Sequence, residues 1–104
     1  MRTRALAAAL GLALALGGTL PAEAATKSYT SAQVKRHNKA SDCWTIINGS
    51  VYNLTKWVNR HPGGSQFIVQ LCGRNGSAAF TGQHGSDGSA RSMLAGYRIG
   101  KLKK

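Results

Sequence analysis

The side chains best suited to chemistry in this chain are histidines, and two of them sit where the backbone would aim them. His61 opens the run His61-Pro62-Gly63-Gly64. Proline fixes its own φ and removes an amide donor, while paired glycines let the chain turn sharply and approach a neighbour closely. The imidazole is therefore carried on a rigid corner with open backbone behind it. His84 also stands among glycines, in Gly82-Gln83-His84-Gly85. Taken singly, the first is an ordinary turn and the second an exposed loop residue. Taken together, two neutral imidazoles facing each other across a slot suit a planar iron porphyrin gripped from both sides. The third histidine, His37, falls at the end of a short helical pattern and reads as a surface or packing residue, not a ligand.

The pattern around these residues predicts the elements that must hold them. Thr30-Ser31-Ala32-Gln33 is a capping box with Thr30 as N-cap, so a short helix should run to about His37 with Val34 inward. Cys43-Trp44-Thr45-Ile46-Ile47 reads as a strand, Asn48-Gly49 as a type I′ turn, and Val51-Tyr52-Asn53-Leu54 as the partner strand. Thr55 should cap a helix through Asn59 that delivers the chain to His61. Ser65 should cap another through Leu71, ended by Gly73, and Ser77 a third through about Gly82. A Gly/Ser-rich loop over 85–89 leads to a last helix around Ala90–Ala95, and Tyr97-Arg98-Ile99 can add a final strand. The expected architecture is a small α+β domain whose short helix pairs form a slot over a small sheet. Trp57, Val58, Phe67, Ile68, Leu71, Phe80, Met93 and Leu94 are available to line that slot. Helices this short and glycine-broken leave a thin core, which a flat apolar group would complete.

Length and charge narrow the class. The chain has 104 residues, enough for one domain. Its first 24 read as a secretory signal peptide: Arg2 and Arg4 precede an Ala/Leu/Gly run from Ala5 to Leu16, and Ala22-Glu23-Ala24 gives a small-x-small cleavage site. The run is shorter than the ~18–20 residues that a membrane span needs. The mature domain, 25–104, is then expected to be secreted or extracytoplasmic at the envelope. Lys and Arg number 14 against 3 Asp and Glu, a formal charge of +11. That balance favours an anionic partner. The basic residues are spread along the chain except for Lys101-Leu102-Lys103-Lys104, and no nucleic-acid motif accompanies them, so a nucleic-acid partner is not expected. Cys43 and Cys72 are the only cysteines; an exported domain should join them in a disulfide. Their spacing excludes a C-x-x-C redox pair and covalent haem attachment, and no structural zinc spacing is present.

With these residues in place, the chain resembles cytochrome b5 from about Tyr29 to Leu102. The resemblance runs through Asp42-Cys43-Trp44, Ile46-Ile47-Asn48-Gly49, Val51-Tyr52-Asn53-Leu54-Thr55, His61-Pro62-Gly63-Gly64, Ala79-Phe80, His84 and Ile99-Gly100. It implies a non-covalent haem b between two helix pairs, with His61 and His84 as the axial ligands. It implies an electron carrier, not an enzyme; a monomer is expected, and, unlike the membrane-bound members, one with no C-terminal anchor. Gly63 or Gly64 should leave a carbonyl near His61 to receive its other ring N–H. The chain departs from the family in being short between Phe80 and His84 and long between His84 and Met93. Where family members often carry carboxylates beside the haem edge, it has Ser65-Gln66 and Thr81-Gly82. An acidic redox partner is therefore expected. A haem-trafficking module and a haem-free secreted anion-binding domain are the alternative readings.

Overall fold

The computed structural model describes residues 26–104, so the signal-peptide reading of 1–24 lies outside the described residues. The framework is a six-stranded mixed sheet in the order β1-β6-β4-β3-β2, with β5 also beside β3. Its centre is the hairpin of β3 (Asp42–Ile47) and β4 (Ser50–Asn53), in which Ile47 pairs with Ser50. That register leaves Asn48-Gly49 as a two-residue turn. Both have positive φ, 46° and 81°, as a type I′ turn requires. β6 (Arg98–Leu102) runs antiparallel to β4, and β1 (Ser28–Tyr29) runs parallel to β6. β2 (Asn38–Lys39) is antiparallel to β3, whereas β5 (Arg74–Asn75) is parallel to it.

Helix α1 (Ser31–Lys35) forms as its capping box dictates. Gln33 N donates to Thr30 Oγ1 at 3.1 Å, and Thr30 N donates to Gln33 Oε1 at 2.7 Å. The helices beyond the hairpin differ from expectation in their ends. Residues 55–60 form successive turns, closed by Trp57 N to Leu54 O and Arg60 N to Trp57 O, instead of a helix. Thr55 does not cap here, because its hydroxyl accepts from Cys43 N at 3.0 Å and donates to Asn53 Oδ1 at 2.7 Å. Helix α2 (Gln66–Val69) is only 4 residues long, and Ser65 makes no side-chain cap. Helix α3 (Ser77–His84) extends past Gly82 to include His84. Its start is held by Asn75 Oδ1 on Ser77 N, while the Ser77 hydroxyl accepts from Asn48 N in the hairpin. Helix α4 (Gly88–Ala95) begins before Ala90 because Asp87 caps it, accepting from Ser89 N and Ala90 N at 2.9 and 3.2 Å. Tyr97 closes the turn after α4, so β6 starts one residue later than predicted.

Strand alternation splits the core. Ile46 joins Val34 and Val51 in one cluster, with Trp44 and Tyr29 against it. Cys43 joins Leu54, Val58, Ile68 and Cys72 in the other. The two cysteines form a disulfide inside that second cluster. His37 stacks on Trp44 at 3.7 Å and sits 2.7 Å from Asp42 Oδ1, the packing role expected of it.

Candidate functional site

Above the second cluster the turns at 55–60, α2, α3 and α4 enclose a largely apolar cleft of about 710 Å³. His61, Trp57, Phe67, Ile68 and Leu71 line one side; Phe80, His84, Met93 and Leu94 line the other. Val58 does not reach it. Trp57 and Val58 are consecutive in a turn and diverge, so Trp57 faces the cleft and Val58, 2% exposed, fills the core with Leu54 and Ile68. Ile47, Leu54, Ala79, Ala90 and Tyr97 also line the cleft and were not foreseen. Period-two alternation of β3 was the available signal for Ile47, which shares a face with Cys43. At the cleft, Phe67 and Met93 remain 54% and 50% exposed. Half-exposed large apolar side chains on both walls suit an apolar occupant that would remove their surface from water.

The two histidines are set differently. His61 Nδ1 donates to the Gly64 carbonyl at 3.1 Å. A carbonyl can only accept, so the proton lies on Nδ1 and the Nε2 lone pair is free. The close approach depends on glycine, since Gly64 has φ 119° and an added Cβ would run into the Gln66 side chain. Gly64→Ala is therefore expected to cost about 1–3 kcal/mol of stability through backbone strain. It should also weaken haem retention by disturbing the acceptor; thermal melting and haem titration check both. Trp57 packs edge-on to the His61 ring at 6.0 Å, and Phe67 lies at 6.3 Å. His84 ends α3 with its ring 5.2 Å from Phe80.

Across the cleft the His61 and His84 ring centres are 6.3 Å apart, with planes at 81°. Two imidazoles on opposite sides of one metal ion, with bonds of about 2.0–2.1 Å and each ring centre ~1.15 Å behind its nitrogen, would have centres about 6.3–6.5 Å apart. The residues therefore fit one ion between them. No group of three or more His, Cys, Asp or Glu able to hold a metal forms among the described residues. Two nitrogens alone would leave an ion short of ligands, and a tetradentate macrocycle in the apolar cleft would complete the set. That is the chemistry of haem.

Comparison with known proteins points to the same cofactor. The model of the cytochrome b5-like haem/steroid binding domain matches residues 30–103. The seed isoform of cytochrome b5 from Nicotiana tabacum is 42% identical over 77 residues, which is 74% of this chain and 56% of that protein. The chain thus spans little more than half the length of that relative. Nitrate reductase [NADH] 1 from Phaseolus vulgaris is 44% identical over 78 residues, 75% of this chain but 9% of that protein. Among solved structures, cytochrome b558 of Ectothiorhodospira vacuolata, a prokaryotic homologue of cytochrome b5, superimposes with a TM-score of 0.67 at 35% identity, covering 73% of this chain and 98% of that one. Domains of this kind bind haem b non-covalently. The family model spans nearly all of the described residues, the relatives and the structure agree with it, and the chain belongs to the cytochrome b5 family.

Proposed function

We propose that His61 and His84 are the axial ligands of a haem b held in the cleft, and that the domain carries single electrons between partner proteins. The observation that carries this reading is the 6.3 Å separation of the two imidazoles. The family model's description also names steroids. A steroid offers no metal, so it gives no use to a pair of imidazoles spaced for one ion.

Bound haem supplies a one-electron ferric/ferrous couple. The residues of the chain set its conditions. His61 is held in one tautomer by Gly64 and presents Nε2 to the cleft. Phe67, Ile68, Leu71, Phe80 and Leu94 line the cleft and would exclude water from a bound macrocycle. With His61 and His84 both bound to the iron, no position would remain open for a substrate, which supports a carrier and not an enzyme. The surplus of cations favours the state with one electron more, which raises the potential relative to an otherwise similar acidic domain; salt screens this over about 8 Å.

The domain is proposed to work outside the cytoplasm as a monomer, after removal of residues 1–24. A buried disulfide suits that oxidising compartment. Its partner is proposed to be acidic. Arg60 and Lys56 are exposed beside the His61 corner, and the described residues carry only Asp42 and Asp87 as side-chain carboxylates. Electron transfer to an acidic acceptor should slow about tenfold as ionic strength rises through the physiological range. Stopped-flow reduction of that acceptor measures it, and a rate independent of salt would contradict the acidic partner. A domain whose haem passes within seconds to a scavenging apoprotein would instead be a haem-trafficking module.

A further inference from the structure

Helix α4 sends one side chain back to the turn that carries His84. Arg91 Nε and Nη2 both donate to the Gly85 carbonyl, at 3.1 and 2.8 Å. Gly85 is the residue that ends α3, and its φ of 22° turns the chain away from the helix. Its own amide still closes the helix on Thr81 O at 2.8 Å. The next carbonyl back is fastened too: Asp87 N donates to His84 O at 2.6 Å. Asp87 then caps α4 through its side chain and accepts Arg91 N through its carbonyl, at 3.2 Å. The turn from His84 to Asp87 is thus tied to the first two turns of α4 at successive carbonyls.

The tie matters because His84 lacks what His61 has. His61 is oriented through its own ring by Gly64. The His84 imidazole makes no hydrogen bond with the described residues. Its direction is therefore set by its backbone and by the Phe80 ring. Arg91 is well suited to holding that backbone. A guanidinium is a planar fork that can place two N–H groups on one acceptor, whereas an ammonium supplies a similar charge without the fork.

We infer that Arg91 is a positioning residue for His84: its fork on the Gly85 carbonyl holds the second ligand at the iron and keeps a positive charge beside the turn that carries it. This rests on the ligand assignment proposed above. It applies to the stretch from His84 to Met93, which is long by the standard of the resemblance.

The test compares holo wild type with Arg91→Ala and Arg91→Lys by three measurements: haem loss to a scavenging apoprotein, the low-spin electron paramagnetic resonance signal, and the midpoint potential. Apo-protein melting is recorded alongside. Both variants are expected to lose haem about tenfold faster and to show a broadened low-spin signal. The potential should fall in Arg91→Ala and be largely kept in Arg91→Lys, since lysine retains the charge. Arg91→Lys matching wild type in haem loss and in its spectrum would overturn the positioning role. So would apo-protein melting temperatures that drop enough to account for the faster loss. A wild type without a low-spin bis-imidazole signal would instead overturn the ligand assignment itself.

Discussion

His61→Ala should abolish stable haem binding while leaving the domain folded. His61 is half-buried on a corner, and neither core cluster includes it. The sheet, α1 and the disulfide remain intact without it. What goes is the better-anchored imidazole, the one fixed by Gly64 and packed against Trp57 and Phe67. Removing an outer partner of a metal-bound histidine typically costs 10–100-fold in affinity, so loss of the ligand itself should exceed about 100-fold. Haem titration of the refolded apo-protein measures it, with circular dichroism confirming the fold. Haem affinity within tenfold of wild type would exclude His61 as a ligand. Glycine in place of histidine, with imidazole added to the buffer, should recover part of the binding.

The second large effect concerns the disulfide. Cys43→Ala combined with Cys72→Ala is expected to lower unfolding free energy by about 3–4 kcal/mol through the entropy of the unsealed loop. The bridge spans a sequence separation of 29 and joins the start of β3 to the segment just past α2. Ile68 of α2 and Leu71 beside the bridge form part of the cleft wall. The loss is a large share of the ~5–15 kcal/mol that holds a domain folded. Urea denaturation of the oxidised protein and of the double variant, both without haem, gives the difference directly. A change below about 1 kcal/mol would show that the unfolded chain is already constrained or that the core repacks around the alanines. Haem should raise both stabilities and leave the gap between them unchanged, because a ligand that binds only the folded state, with equal affinity for the two proteins, stabilises both by the same amount.

Features fixed by neighbouring residues were legible in the sequence. Thr30 and Gln33 find each other three residues apart, and Asn48-Gly49 adopts the positive φ pair that its composition favours. The same was true of the histidine corner, including a carbonyl from the Gly-Gly pair for the His61 ring. What was misread depends on partners distant in sequence. Thr55 and Ser77 have hydroxyls suited to capping, but Thr55 serves Cys43 N across the hairpin and Ser77 serves Asn48 N. The true starts of α3 and α4 are set by Asn75 and Asp87, side chains of the kind that compete for the same role. The parallel strands β1 and β5 are two residues long and carry no alternation to read. Val58 shows the limit for the site. Hydrophobicity marked both Trp57 and Val58 for the cleft, and only the turn geometry decides that Val58 faces the disulfide instead.

The most direct test of the central assignment is the visible absorption spectrum of the protein, oxidised and then reduced, beside that of His84→Ala. A six-coordinate low-spin b-haem spectrum in wild type, converted to high spin or lost in the variant, is the predicted result. A low-spin spectrum unchanged by His84→Ala, or a wild type that is colourless and takes up no added haem, would contradict it.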